Sequence, residues 1–262
     1  MASTWDETLG MAEAPAQIRR IGLQDLGIAL RLGWADFVAA PTQIVFLCLI
    51  YPIIGFVLGS AAAGGALLPL IYPLLAGFAL MGPLAALGIY EISRRREAGL
   101  SAGWTAMFGV LRSPAIFSIA ALGLGLLAIF ALWLMTARGL YLVTLGTAMP
   151  ASPMAMLDAV MGTTRGVWLI ALGNLVGAGF AVLVLALSIV SFPMLLDRNV
   201  TPGEAVRCSW VAFQTNWLVL LAWGAIVAVL LALGMALLFV GLAVVLPLLG
   251  HATWHLYRRL IA

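Results

Sequence analysis

Charged residues are scarce in this sequence, and lysine is absent from it. Only 9% of the residues are charged, 64% are hydrophobic, and the mean hydropathy is +1.14. A soluble chain carries roughly a quarter of its residues as charged side chains, so the composition excludes a water-soluble protein and indicates a membrane protein. All thirteen basic residues are arginine. This bias is typical of a GC-rich genome and favours a bacterial source.

Metal-ligating residues are also few. Two cysteines, Cys48 and Cys208, are not enough for a disulfide framework or a four-cysteine zinc site, and we interpret both as packing residues. Two histidines, His251 and His255, stand four residues apart and project from the same face of a helix. Because a closed zinc site needs more ligands than this pair supplies, they are weak candidates for a metal site, and we expect no cofactor.

Motifs that carry catalytic chemistry are missing as well. The sequence contains no nucleophile elbow, phosphate loop, pair of catalytic carboxylates or nucleotide fingerprint. No Asp, Glu, Lys or Arg lies near the centre of a long apolar run, although proton pumps and ion-coupled carriers usually need such groups there. We therefore predict that the protein is not an enzyme, and we expect no nucleic-acid partner.

Long apolar runs are abundant, and a helix needs about 20 apolar residues to cross a bilayer. Four predicted spans are residues 42–60, 66–90, 114–136 and 166–191. The stretch 217–257 is about twice as long as one crossing requires at 1.5 Å per residue, so it should hold two spans with a turn near Leu238 to Gly241. Residues 139–149 are too few to cross and, with residues 150–165, are predicted to form an external loop. The predicted fold is all-α, a polytopic transmembrane helical bundle of about six spans.

The placement of arginine predicts the orientation, because cytoplasmic flanks retain positive charge. Eleven of the thirteen arginines fall on one side of the predicted spans, and only Arg138 and Arg165 fall on the other. Residues 1–20 lack the apolar segment of a signal peptide and are predicted to be a cytoplasmic tail, followed by a single transmembrane domain at residues 21–262. We expect a multi-pass protein of the bacterial inner membrane with both termini in the cytoplasm.

Two motifs recur in the same order along the chain. The segment ALRLGWADF at residues 29–37 recurs as AVRCSWVAF at 205–213, and PLAALGIYEISRR at 83–95 recurs as PLLGHATWHLYRR at 247–259. Self-similarity of this kind indicates a repeated unit, here an amphipathic helix, a membrane hairpin and a basic end. The three predicted hairpin units are residues 21–96, 100–198 and 201–259.

The first element of each unit is predicted to be an interfacial helix. Leu23, Leu26, Leu30, Trp34 and Phe37 recur at helical spacing, and Gln24, Asp25, Arg31 and Asp36 lie elsewhere on the helical wheel. In the last unit an N-cap, a first-turn proline and a capping-box acid are supplied by Thr201, Pro202 and Glu204.

We interpret these helices as membrane anchors. The alternative is a cytoplasmic collar that docks a partner or an anionic lipid, with Arg94, Arg95 and Arg96 as its strongest charge cluster. Trp34 and Trp210 are then the aromatic residues that face lipid or a partner, because tryptophan suits the headgroup layer.

Polar and proline residues within the predicted spans leave two interpretations open. Asn174 is the one strongly polar side chain in the fourth span, where a hydrogen bond to a neighbouring helix contributes about 1 kcal/mol. We favour this structural role over a substrate contact. Four prolines, Pro52, Pro69, Pro73 and Pro83, crowd the first hairpin and are expected to break its helices, a feature that accompanies midplane binding sites in transporters. We favour bends without a ligand.

Four segments, GWADF, GIYEISRRREAG, SFPMLLDR and GHATWHLYRRL, together resemble domain-of-unknown-function family 2189, a group of bacterial predicted integral membrane proteins. The resemblance covers most of the chain from about residue 21. It implies no established activity, although some members are labelled as cytochrome c oxidase subunits. A catalytic role of that kind needs more histidine ligands than the two present here, so the resemblance leaves open an accessory or assembly role beside a respiratory complex.

Taken together, these features favour a non-enzymatic inner-membrane protein that packs against, organises or assembles other membrane components. The expected partners are membrane lipids and other integral membrane proteins, such as a respiratory complex. The alternative is a carrier or channel for a small neutral or lipid-like solute, which would use the proline-broken hairpin and a cleft between the repeats.

Overall fold

A computed structural model of the chain describes residues 17–40, 68–147, 150–237 and 239–262, together with residue 53. The α-helices in these ranges are α1 (Leu23–Ala39), α2 (Ile71–Phe78), α3 (Gly82–Ala85), α4 (Leu87–Glu97), α5 (Ile116–Thr144), α6 (Pro153–Met161), α7 (Thr164–Ser188), α8 (Ser191–Asp197), α9 (Pro202–Thr215), α10 (Trp217–Ala236) and α11 (Leu242–Leu260). Three 3₁₀ helices cover Leu68–Leu70, Ala79–Met81 and Trp104–Arg112. The described residues form no β-strand, which confirms the all-α prediction.

Among the described residues, four helical stretches are long and apolar enough to cross a membrane, namely Leu68–Glu97, Ile116–Thr144, Thr164–Asp197 and Trp217–Ala236. The predicted count of about six spans is therefore not confirmed. The first predicted span, residues 42–60, lies outside the described residues. The sixth corresponds to α11, whose second half carries two histidines and two arginines and is too polar to qualify by composition.

The boundaries of the last two predicted spans agree with the structure. α10 ends at Ala236 and α11 begins at Leu242, so the turn lies where the sequence predicts it. The backbone is tightly folded here, because a Cβ atom on Gly241 would lie 2.8 Å from the Cα of Gly234. Glycine at these two positions permits the close approach.

The predicted external loop begins too early. α5 continues through residues 139–144 and ends at Thr144, because this segment contains no helix-breaking residue after Gly139. The chain turns at Gly146, which has a positive φ of 86°. α6 then covers Pro153–Met161, and the side chain of Ser152 caps it by accepting a hydrogen bond from the backbone nitrogen of Ala155 at 3.2 Å.

The second arm of the proline-rich hairpin is broken as predicted, whereas Pro52 and the first arm lie outside the described residues. Between Leu68 and Glu97 the helix alternates between 3₁₀ and α geometry, and Pro83 occupies the first turn of α3. The predicted capping box of α9 is also confirmed, because Thr201 and Glu204 each bond to the other's backbone nitrogen.

Two surface segments, α1 and the 3₁₀ helix Trp104–Arg112, each cross a longer helix at a small residue. α1 packs on α11 so closely that a Cβ atom on Gly33 would lie 2.6 Å from the backbone nitrogen of Ala252. The 3₁₀ helix Trp104–Arg112 packs on α4, where a Cβ atom on Gly88 would lie 2.8 Å from the Cβ of Met107. Gly88 and Ala252 are aligned by the second repeated motif, so both copies place a small residue at a helix crossing.

The third crossing joins α9 to α7 and α8. Ser209, which the first repeated motif aligns with Gly33, donates to the carbonyl of Ala186 at 2.8 Å and accepts from the backbone nitrogen of Val190 at 3.2 Å. The 3₁₀ helix Trp104–Arg112 and α9 thus each pack on the helices that end the preceding predicted unit. α1, which begins the first unit, packs on α11, which ends the last one. The unit boundaries themselves stay a prediction.

The two ends of the described chain lie side by side. The backbone nitrogen of Arg19 donates to the carbonyl of Leu260 at 2.8 Å, and that of Ala262 donates to the carbonyl of Gln17 at 2.9 Å. Residues 17–19 and 260–262 therefore lie at the same end of the helical bundle. Nearby, α4, α8 and α11 meet in a core that almost completely buries Phe192, Trp254 and Tyr257.

Candidate functional site

A buried polar cluster lies where α1, α4 and α11 meet. We call it the Asp36 cluster, and its members are Asp36, Ser93, Arg96, His251 and His255. One carboxylate oxygen of Asp36 accepts a hydrogen bond from Ser93 Oγ at 2.6 Å and lies 2.9 Å from His255 Nε2. The other accepts a hydrogen bond from Arg96 Nε at 2.8 Å. Ser93 Oγ lies 2.7 Å from His251 Nδ1.

Helical spacing and one glycine bring these side chains together. Residues three or four apart share a face of a helix, which pairs Ser93 with Arg96 on α4 and His251 with His255 on α11. Asp36 follows Gly33 by three residues on α1, so the tight crossing at Gly33 places the carboxylate against α11. The interior face of α1 therefore carries Asp36, which the sequence analysis placed away from the apolar stripe.

The side chains of the predicted apolar stripe of α1 lie in different environments. Leu26 and Phe37 are buried in the protein, whereas Leu23 and Trp34 are exposed, with 67% and 51% of their surfaces accessible. Asp25 is also buried, on the same inward face about three turns before Asp36, and pairs with Arg259. The prediction of a simple apolar face is thus wrong, because arginines of the neighbouring helices make it favourable to turn two carboxylates inward.

The network keeps the Asp36 carboxyl group ionised. Burial raises the pKa of Asp36, but hydrogen bonds from His255, Ser93 and Arg96 outweigh burial and lower the pKa to about 2. A carboxylate only accepts hydrogen bonds, so the Ser93 hydroxyl donates to Asp36 and its oxygen accepts from His251 Nδ1–H. In the neutral form of the His251 ring the proton is then on Nδ1, and the other ring nitrogen, Nε2, carries none. Nε2 is buried and has no hydrogen-bond partner among the described residues.

The order of the side chains differs from that of a hydrolytic triad. In such a triad the histidine lies between the serine and the carboxylate and removes the serine proton. Here Ser93 lies between Asp36 and His251, and its side chain is fully buried. The geometry therefore does not prepare Ser93 as a nucleophile, and the absence of enzymatic activity stays a prediction.

The two histidines that we considered as metal ligands both take part in this cluster. His251 Nδ1 faces Ser93 and His255 Nε2 faces Asp36, so protein groups already occupy one nitrogen of each ring. Over the described ranges, no group of three or more His, Cys, Asp or Glu residues is arranged to hold a metal ion. The arrangement is that of a hydrogen-bonded network linking three helices.

A second network joins α4, α8 and α11 at the same end of the bundle. Arg258 donates to Glu97 at 3.0 Å and to Asp197 at 3.1 Å. The Tyr257 hydroxyl donates to Asp197 at 2.7 Å, and Trp254 Nε1 donates to Glu97 at 3.1 Å. Arg258, one of the paired arginines at the end of α11, thus connects α11 to α4 and α8.

The three consecutive arginines have different environments. Arg94 forms two hydrogen bonds with Glu91, at 2.7 and 2.9 Å, and Arg96 is paired with Asp36 at 2.8 Å. Arg95 instead donates to the carbonyl oxygen of Ser101 at 2.7 Å, a neutral partner. The predicted charge cluster is therefore largely offset by acids, and the charge of Arg95 is offset least, because its nearest acid is Glu91 at 3.9 Å, which Arg94 already engages. Whether these residues face lipid or a partner stays a prediction.

The remaining predicted residues lie apart from the Asp36 cluster. Trp34 and Trp210 occupy equivalent repeat positions and are both exposed, at 51% and 41%. Asn174 accepts a hydrogen bond from the Tyr72 hydroxyl at 2.8 Å and donates to the carbonyl of Ile170 at 2.8 Å. The cross-helix hydrogen bond expected of Asn174 is therefore present.

Sequence reasoning missed Asp36 and Ser93, although the repeat contains a signal for the site. The first motif aligns Asp36 with Ala212, and the second aligns His251 with Leu87. Ala212 is fully buried at the α9 crossing, so the equivalent position there is apolar. Asp36 and His251 are thus polar where the other repeat copy is apolar, whereas Ser93 and His255 align with the polar residues Tyr257 and Glu91 and give no such signal.

Comparison with known proteins supports the resemblance found in the sequence. A family model described as predicted integral membrane protein (DUF2189) matches residues 71–197, which confirms the resemblance to this family and the assignment to an integral membrane protein. The segments GWADF and GHATWHLYRRL lie outside the match, so the wider extent of the resemblance stays a prediction. The matched stretch contains Ser93 and Arg96, whereas Asp36 and both histidines lie outside it. A search of curated proteins and a search of solved structures found no match.

Proposed function

We propose that this integral membrane protein is a non-enzymatic component that organises or assembles other membrane proteins in the bacterial inner membrane. The observation that carries the proposal is how the polar groups at one end of the bundle are used. The Asp36 cluster and the Glu97–Arg258–Asp197 network bond helices of the chain to one another. Polar groups that bond helices to one another make this end of the bundle rigid. A rigid surface suits a protein whose role is to pack against other membrane proteins.

The outer surface of the crossing helices supports the same role. Trp168 and Leu175 on α7 and Leu124 and Met135 on α5 are exposed, with 60 to 71% of their surfaces accessible. Apolar side chains of this kind pack equally well against lipid tails or against another membrane helix. The Tyr72–Asn174 pair adds hydrogen-bonding groups to this face.

The features of a solute carrier receive less support from the structure. Broken helices in transporters expose backbone groups to a central cavity, but the carbonyl of Pro73 accepts a hydrogen bond from Trp133 Nε1 at 2.8 Å. A Cβ atom on Gly77 would lie only 2.5 Å from the ring of Phe130. Side chains of α5 thus fill the break.

The proposed orientation has both termini in the cytoplasm. The side-by-side position of residues 17–19 and 260–262 supports an even number of crossings between them, and the arginines gathered at that end support a cytoplasmic location.

Isolation of the tagged protein from native membranes in mild detergent tests the proposal. We expect specific integral membrane proteins to co-purify in near-stoichiometric amounts, and deletion of this chain to reduce their assembled complex on native gels. Assembly that is unchanged after deletion, together with solute uptake by reconstituted vesicles, would replace the proposal with the carrier hypothesis.

A further inference from the structure

A surface cavity of about 600 Å³ lies between the 3₁₀ helix Trp104–Arg112 and the end of α4. Arg95 and Arg112 line it together with the hydroxyl-bearing residues Ser101 and Thr105. No acidic side chain is among its lining residues. The cavity therefore combines two cationic groups with two neutral hydrogen-bonding side chains.

Both guanidinium groups keep their positive charge available. Arg95 bonds to the carbonyl oxygen and hydroxyl of Ser101, at 2.7 and 3.3 Å. Its nearest acid is Glu91 at 3.9 Å, and that carboxylate is already engaged by Arg94. In the part of the chain that the structure describes, no acid pairs with Arg112. The site is thus electropositive, and the one acid near it, Glu91, is shared between Arg94 and Arg95.

The surroundings of the cavity are apolar and exposed. Trp104, Phe108 and Leu111 have 52%, 53% and 69% of their surfaces accessible, while Val110 of the same segment is buried. The segment connects the stretches Leu68–Glu97 and Ile116–Thr144, both of which are apolar enough to cross a membrane. It must therefore lie at the membrane boundary, where its exposed apolar side chains meet acyl chains.

We propose that this cavity binds the phosphate headgroup of an anionic phospholipid, with Arg95 and Arg112 contacting the phosphate and Phe108 and Leu111 contacting the acyl chains. Arginine forms paired hydrogen bonds with phosphate oxygens, and Ser101 and Thr105 supply further hydroxyl groups. A soluble phosphate would use the cationic groups but leave the apolar rim exposed. This site is independent of the organising role proposed above.

Native mass spectrometry of the detergent-purified full chain tests the site, with phosphatidylglycerol and phosphatidylcholine of identical acyl chains as probes. We expect phosphatidylglycerol to bind more tightly. Replacing one arginine should weaken that binding about fivefold and replacing both about thirtyfold, because each basic residue near an anionic surface contributes roughly 1 kcal/mol. Arg112→Gln is the cleanest variant, since it breaks no bond within the described residues.

Arg207→Gln is the matched control. Arg207 is an exposed arginine on α9 without a described partner and lies outside the lining of this cavity, so binding should persist. Arg112→Lys, which keeps the charge, should retain most of the affinity. The proposal is overturned if Arg95→Gln/Arg112→Gln binds phosphatidylglycerol like the wild type, or if Arg207→Gln weakens it equally. Displacement of the lipid by millimolar inorganic phosphate, but not by chloride at equal ionic strength, would also overturn it and indicate a soluble anion.

Discussion

Replacing Asp36 by alanine should destabilise the bundle measurably. The change removes a buried, charge-assisted hydrogen bond from Ser93 and two bonds from the more exposed His255 and Arg96, whose contributions are smaller because water screens them. We expect a loss of about 3 kcal/mol in the free energy of unfolding. For a chain of this size the melting temperature should fall by about 6 to 12 °C.

The repeat supplies a sharper form of this experiment. Asp36→Ala combined with Ser93→Ala and His251→Leu makes the three most buried positions of the cluster apolar and leaves Arg96 and His255, which reach the surface. Two of the three residues are changed to those that the aligned positions carry. Replacing a buried polar network by packed apolar side chains is often neutral, so this triple variant should regain at least half of the stability that Asp36→Ala loses.

Thermal unfolding of the purified protein in detergent measures both effects. Asp158→Ala is the control, because Asp158 is exposed on α6 and makes no described side-chain bond, so its melting temperature should not change. If Asp36→Ala melts with the wild type, or if the triple variant melts below Asp36→Ala, the reasoning about this cluster is refuted. A stable triple variant that no longer supports complex assembly would assign the cluster a role beyond stability.

The same structure makes further predictions. The stabilisation from Asp36, taken as the difference between wild type and Asp36→Ala, should be complete above its ordinary pKa of 3.8 and be lost as the pH falls through about 2; a loss near pH 6 in acid-titration melts would contradict this. Gly33→Ala should lower the melting temperature, because the added Cβ would lie 2.6 Å from the α11 backbone. Gly27→Ala, whose Cβ would have nothing within 4 Å, should raise the melting temperature slightly. Equal melting temperatures of the two variants would refute the tight crossing. Single cysteines at Gly99 and Asp158 in a chain lacking its native cysteines should be labelled from the cytoplasm and from outside, respectively, and the reverse pattern would overturn the orientation.

Parts of the site were predictable from local patterns, and other parts were not. The four-residue spacing of His251 and His255 indicates that they share a helix face, and the structure brings both to the same carboxylate. Asp36 gives no comparable signal, because it lies more than two hundred residues away along the chain from its histidine partner. The aligned Ala212 shows that the position is inward-facing, but only the opposing residues of α4 and α11 make a carboxylate favourable there.

The end of α5 illustrates the same limit for the fold. Hydropathy indicates how much apolar chain is needed to cross a bilayer, so it predicted a span ending near residue 136. The backbone continues its hydrogen bonding to Thr144, because nothing in the following residues stops the helix until the turn at Gly146. The membrane sets how many apolar residues a span needs, whereas local backbone geometry sets where the helix ends.

By itself, the sequence determined the helical membrane class, the turn between α10 and α11, the broken first hairpin and the paired motifs, because these follow from composition, periodicity and local backbone chemistry. Only the tertiary structure decided which group each arginine side chain bonds to. Arg94, Arg95 and Arg96 are adjacent and chemically identical, yet one bonds to Glu91 of its own helix, one to a neutral Ser101 and one to Asp36 of α1. The electrostatics of a side chain depend on what packs opposite it, and for Arg96 that partner comes from a helix distant in the sequence.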